Sequence, residues 1–143
     1  MTLSLNRTTH RLPRGRAYDP WEHADLLGVD VVVRPLRTSH GLWLPDYATV
    51  LVHSKLRPTH QRNVLAHELG HAAHAHPDDR PKHERQADKF AAFHLIDPHE
   101  LADLSRWCAD EHRVVSELGV TLRLLRAFVA AEQTAPTPAA LPA

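Results

Sequence analysis

The sequence predicts an α+β domain in which a small β-sheet is followed by a succession of helices. Three observations carry that reading. β-branched and other apolar residues crowd Val29 to Leu36, Leu42 to Leu44 and Ala48 to His53, with the turn-forming Pro45-Asp46-Tyr47 between the last two. From Thr59 to about Ala75 the period changes, because Leu65, Leu69, Ala72 and Ala73 fall at i, i+4, i+7 and i+8, the stripe of a helix resting on a core. An Asp-Pro pair, a capping residue followed by the residue best suited to the first helical position, occurs at Asp19-Pro20 and again at Asp97-Pro98.

The elements follow in order. Residues 1–18 carry Arg7, Arg11, Arg14 and Arg16 with no acid and no apolar period, and are expected to form a loosely attached basic arm. Trp21 to Leu27 makes about two helical turns, which Gly28 stops. The three apolar segments then form a small antiparallel or mixed sheet. After the helix that starts near Thr59, a polar loop from His76 to Pro81 leads into a second helix over Lys82 to Ile96, with Ala87, Phe90, Ala91 and Leu95 on its apolar side. Asp97-Pro98 starts a third, and two more helices meet at Gly119 before a tail over 133–143 with three prolines, expected to be disordered. The expected domain therefore spans 19–132, with 98–132 as its helical C-terminal part.

Composition bounds what such a domain does. A chain of 143 residues with 43% hydrophobic content suits one modest core. No segment approaches the roughly 20 apolar residues of a membrane-spanning helix, and the first residues lack the apolar stretch of a secretion signal, so a soluble, cytoplasmic protein is expected. A single cysteine, Cys108, excludes an internal disulfide and any four-cysteine metal site. With 17 basic and 17 acidic residues the formal charge is zero, which argues against wholesale attraction to nucleic acid or acidic lipid. Histidine is enriched, at 13 residues.

Four of those histidines, His60, His67, His71 and His74, stand opposite the apolar stripe of the helix that begins near Thr59. His67-Glu68-Leu69-Gly70-His71 is an H-E-x-x-H motif. In a helix, residues i and i+4 lie one above the other, so both imidazoles can converge on one zinc ion, and Glu68, one position round, can serve a water without being a ligand. Chance alone produces such a string in about one chain of this composition in twenty, so a second motif is needed to decide. It is present as Glu84-Arg85-Gln86-Ala87-Asp88, where Glu84 and Asp88 again share a helix face. Hydrolytic zinc sites use three protein ligands and an open position, and His, His, Glu is one standard set. Glu84 completes it, and Asp88 is placed to accept the second N–H of a ligand imidazole, that of His67. Small residues at Gly70, Ala87 and Ala91 let the two helices approach. His74 is a rival ligand, a further turn along and poorly placed for a shared ion.

The stretch Leu65 to His71, followed by Glu84-Arg85-Gln86-Ala87-Asp88-Lys89-Phe90-Ala91-Ala92-Phe93-His94-Leu95-Ile96-Asp97-Pro98, resembles the ImmA/IrrE family of zinc metallopeptidases over roughly Trp21 to Phe128. The resemblance implies a compact minigluzincin-like fold with a small sheet covering the active-site helix. It implies His67, His71 and Glu84 as ligands, Glu68 as general base, and regulatory cleavage of a helix-turn-helix repressor of the kind that controls phage or mobile-element immunity. Gln86 stands where the family usually has a second Glu, and Asp97 where Met is common. Neither is a proposed ligand, so these departures are expected to bear on substrate contacts.

Other residues carry weaker expectations. His40, His53, His60 and Tyr47 are candidates to donate a hydrogen bond to a tetrahedral oxyanion. Trp21, Trp43 and Trp107 read as packing residues, and Cys108 as a small buried hydrophobe within a helix. Val115 to Phe128 faintly resembles a helix-turn-helix with Arg123 and Arg126 on its second helix, which keeps open a repressor-binding or DNA-binding protein without hydrolysis. The plainer reading is a helical pair packed on the core. Finally, the strand over Ala48 to His53, joined to the zinc helix by a short link, is expected to lie beside the metal and, if it is a sheet edge, to receive an extended substrate as an added strand.

Overall fold

The structure, a computed structural model, describes residues 12–134. Its elements are helix α1 (Pro20–Leu27), strands β1 (Asp30–Arg34), β2 (Gly41–Leu44) and β3 (Thr49–His53), and helices α2 (Pro58–Ala73), α3 (Pro81–Leu95), α4 (Pro98–Trp107), α5 (Glu111–Leu118) and α6 (Leu122–Thr134). The caps are those the sequence signals. Asp19 accepts a hydrogen bond from Trp21 N and Asp97 from His99 N, each with proline at the first helical position. Gly28 (φ 71°) and Gly119 (φ 69°) close α1 and α5 in the left-handed region that glycine enters without steric cost.

The sheet is mixed, in the order β1-β3-β2, with β3 parallel to β1 and antiparallel to β2. This corrects one expectation. β3 precedes the motif helix as foreseen, but it is the middle strand and both its edges are taken, so no substrate strand can be added to it. Among the described residues, a free edge on the motif-helix side belongs to β2. Val50 and Val52 of β3 are fully buried on the face turned toward the motif helix.

Two apolar clusters hold the fold. Val50 and Val52 of β3 meet Leu65 and Leu69 of α2, with Ala24 and Val29 closing one side. Each fully buried Val or Leu of this kind contributes roughly 1.5–3 kcal/mol. The larger cluster joins Ala66 of α2 to Ala91, Ala92 and Leu95 of α3 and to Val114, Leu118, Leu124 and Phe128 of the last two helices. The plainer reading of the C-terminal helices is therefore the structure's own: they pack on the core. Helix α2 serves both clusters, and its contact with α3 depends on Gly70, where an added Cβ would sit 2.8 Å from Ala87 Cα.

Three further expectations change. Residues 1–11 of the expected basic arm lie outside the described residues, but Arg14 and Arg16 are docked. Arg14 donates to Phe93 O at 2.7 Å and lies over the Phe93 ring, while Arg16 pairs with Glu100 at 2.7 Å. Tyr18, also assigned to the arm, is 2% exposed in the main core. Cys108 caps α4 instead of sitting within a helix, and is only half-buried. Trp107 is 60% exposed, with Arg113 over its ring. The tail expected over 133–143 falls outside the described residues from 135 onward. Among the described residues, no helix is long and apolar enough to cross a membrane.

Candidate metal centre

Helix α2 presents His67 and His71 on one face, and Glu84 from the first turn of α3 comes to meet them. The rings of His67 and His71 stand edge to face with centroids 4.9 Å apart. Glu84 Oε1 lies 2.6 Å from His71 Nε2 and 3.4 Å from His67 Nε2. Donors bound tetrahedrally to zinc at about 2.0–2.1 Å sit roughly 3.3–3.4 Å from one another, so the His67–Glu84 separation already matches and the His71–Glu84 one needs to open by less than an ångström. Among the described residues these three form a group whose ligand atoms all lie within 4.8 Å of one another.

The far nitrogens of both imidazoles are engaged, which leaves each Nε2 to the common point. Asp88 Oδ1 lies 2.8 Å from His67 Nδ1, the partnership that its i, i+4 spacing to Glu84 implies. His71 Nδ1 lies 2.9 Å from His76 Nδ1, a partner that the sequence reading missed. His76 comes back over His71 because α2 ends in a tight reversal, in which Ala75 adopts φ 52° while His76 N donates to His71 O and Ala75 N to Ala72 O. Such a turn is normally announced by glycine. Alanine at that position hid it. His74, the rival ligand, instead bonds the Gly70 carbonyl at 2.8 Å through Nδ1 and does not line the cleft.

The group opens onto a cleft of about 630 Å³. Its floor is α2, one wall is β2, and the other is built from the loop after His76 together with α3 and α6. Glu68, 7% exposed, faces this cleft beside the ligand candidates. Burial, reinforced by the nearby Glu84 and Asp79 charges, pushes its carboxyl up to about 7 against the opposing pull of His67. Burial alone would lower His67, but its hydrogen bond to Asp88 and the surrounding carboxylates of Glu68, Asp88 and Glu84 outweigh it and raise it. Glu84 and Asp88 move the other way: burial would raise both, and the neighbouring His67 and, for Asp88, Arg123 hold them below the ordinary carboxylate range.

Two more residues join the site without having been foreseen. Arg123, read from sequence as part of a helix-turn-helix, reaches from α6 to donate to Asp88 Oδ2 at 2.8 Å and Glu84 Oε2 at 3.3 Å. Arg126 pairs with Glu111 at 3.6 Å. Both basic residues of the suspected DNA reader are therefore paired with carboxylates. Gly41 of β2 packs against the motif helix, and a Cβ there would sit 2.5 Å from Val64 Cγ1 and 3.1 Å from Glu68 Cγ. Gly41 opens β2, and the apolar segment read from the sequence begins one residue later at Leu42, so the close approach had no sign there. Of the four oxyanion candidates, His40 and His60 line the cleft, 5.1 Å apart between ring centroids, whereas His53 and Tyr47 do not. Of the two departures from the family pattern, Gln86 bonds His76 Nε2 through Oε1 at 2.7 Å, and Asp97 caps α4.

Residues 24–129 match the family described as the IrrE N-terminal-like domain, a peptidase family. The chain belongs to that family. It is also similar to two curated proteins named radiation response metalloprotease IrrE. The one from Deinococcus radiodurans is 41% identical over 56 residues, 39% of this chain and 17% of that protein. The one from Deinococcus deserti is 33% identical over 73 residues, 51% of this chain and 22% of that protein. The matched segments thus span less than a quarter of the length of these relatives.

Proposed function

We propose that this domain is a zinc-dependent endopeptidase in which His67, His71 and Glu84 hold the metal, Asp88 orients His67 and Glu68 is the general base. One observation carries the reading. Two imidazole Nε2 atoms whose Nδ1 atoms are already engaged converge with one carboxylate on the floor of an open cleft, beside a buried carboxyl that is not part of the group. The relatives' names, which specify a metalloprotease, agree with it.

A zinc ion held by this set would supply Lewis acidity toward a peptide carbonyl and make water a nucleophile at neutral pH. The chain's own residues do the rest. Glu68 takes the proton of the attacking water on a carboxylate oxygen and delivers it to the leaving nitrogen. Asp88 accepts a hydrogen bond from His67 Nδ1–H, which holds the proton there and keeps Nε2 free to ligate. His40 or His60 donates to the oxyanion from the β2 side of the cleft.

The free edge of β2 supports an extended substrate. His53 N donates to His40 O at 2.8 Å, so the antiparallel alternation, with Leu42 opposite Leu51, turns the N–H and C=O groups of Gly41 and Trp43 away from β3 and toward an incoming chain. The substrate class we put forward is a helix-turn-helix repressor cut in a flexible linker, in the cytoplasm, as a step in phage or mobile-element immunity. That choice rests on the family resemblance together with this edge. The test is Glu68→Gln in a purified system with the cognate repressor. Cleavage should fall by about 10²- to 10⁴-fold, the usual contribution of a general base, with zinc content and melting unchanged. Undiminished cleavage by the variant sinks the reading, and repressor release without any cut favours a binding protein.

A further inference from the structure

His76 is not used by the chemistry above, yet it is among the most firmly held side chains near the site. It is 4% exposed. Its ring is stacked between His83 (centroids 4.1 Å apart, 15° between planes) and His74 (5.2 Å, 13°). His83 is itself fixed by Asp78, 2.7 Å from its Nδ1. On its two nitrogens His76 meets His71 Nδ1 at 2.9 Å and Gln86 Oε1 at 2.7 Å.

Two ring nitrogens facing each other at hydrogen-bond distance share one proton, and where it sits decides what the other end of His71 can do. If His76 Nδ1 donates, neutral His71 carries its proton on Nε2 and has no lone pair for a cation. If His71 Nδ1 donates, Nε2 is the lone-pair end. The choice is made one residue further out. The carboxamide oxygen of Gln86 only accepts, so it holds the His76 proton on Nε2, which makes His76 Nδ1 an acceptor and places the His71 proton on Nδ1. With the amide nitrogen turned toward His76, every bond in the chain would reverse.

We propose that His76 and Gln86 are positioning residues that select the cation-binding tautomer of His71, in the way Asp88 does for His67. The proposal rests on the zinc reading and deepens it. His67 is oriented by a charged carboxylate, His71 by a neutral relay whose direction is set by the orientation of one amide. Loading the metal therefore fixes the Gln86 amide with its oxygen inward.

The experiment uses the zinc-loaded chain. Histidine ¹⁵N spectra should show His71 protonated at Nδ1 and His76 at Nε2. In parallel, zinc affinity is measured by chelator competition for Gln86→Glu, which can only accept, and Gln86→Met, which can do neither, with thermal melts as the fold control. Gln86→Met should weaken zinc binding by about 10-fold or more, the usual effect of losing a group that orients a ligand, while Gln86→Glu keeps or tightens it. Equal affinities for the two variants and wild type, or a His76 proton found on Nδ1, overturn the relay. Because Gln86 is only half-buried and the wild-type spectra need no variant, a folding defect cannot hide the answer. Failure of the zinc reading looks different: the wild-type chain itself would bind no zinc, or would keep it in Glu84→Ala.

Discussion

Asp88 divides its two oxygens between His67 Nδ1 and Arg123 Nε, each at 2.8 Å, and so couples His67 to a cation 35 residues beyond Asp88. Replacing it with alanine should weaken zinc binding by about 10- to 100-fold with the fold intact, measured by chelator competition. Unchanged affinity would reduce Asp88 to a partner of Arg123 alone. Gly41 tests the opposite wall. Gly41→Ala forces Val64 and Glu68 to move, because the new Cβ would stand 2.5 Å from Val64 Cγ1, and should cost about 1–3 kcal/mol in urea melts while displacing Glu68, the proposed general base. A melt identical to wild type would show that strand and helix have room to part. At this scale the sequence was readable wherever partners share one helix: His67 with His71, and Glu84 with Asp88. It was silent on Arg123 and His76, whose contacts depend on how α6 packs and how α2 ends, neither of which has a local sign.

The pairing of α2 with α3 is what turns two helical motifs into one site. Gly70 against Ala87 sets the spacing, and both were legible as small residues on facing sides. The end of α2 was not. A left-handed alanine costs roughly 1–2 kcal/mol against glycine's freedom, partly offset by the looser unfolded chain of a glycine variant. Ala75→Gly, at φ 52°, should therefore stabilise the domain by about 0.5–1 kcal/mol, read as a higher urea midpoint at constant slope. A destabilised variant would mean that the Ala75 methyl has contacts that matter. Strand order was equally hidden, since pattern gives each strand's faces but not its neighbours, and β3 proved central. With β2 as the receiving edge, a linker peptide N-methylated at the residues that would pair with Gly41 and Trp43 should resist cleavage, whereas methylation at the alternate positions should be tolerated.

For the molecule as a whole, the two apolar clusters meet along α2 and α3, and at the α3 end lies a group of buried titratable rings. His94 stacks on Tyr18 (centroids 4.9 Å apart) and faces His23, Phe90 and Phe93, and its buried Nδ1 has no hydrogen-bond partner among the described residues. Burial, with the nearby charges of His23 and Arg14, pushes it down to about 4 from 6.5. Between those two values the unfolded chain takes up a proton that the folded one refuses, so this contribution to stability is complete above the higher value and is lost as pH falls toward the lower. Urea melts should show a lower stability at pH 5 than at pH 7, and a smaller difference in His94→Phe. An equal difference in that variant would move the effect to other groups. This centre had no sign in the sequence, because it joins the expected arm, through Tyr18, to α1 and α3. The fold class and the meeting of His67, His71 and Glu84 were legible because their signals are periodic and local. The central claim, that His67, His71 and Glu84 bind one zinc, is tested most directly by the zinc content of the purified chain beside that of Glu84→Ala, with X-ray absorption on the loaded protein. The account predicts one zinc per chain with two imidazole nitrogens and a carboxylate oxygen, lost or sharply weakened in the variant. A full complement of zinc retained by Glu84→Ala, or a third imidazole in place of the carboxylate, would contradict it.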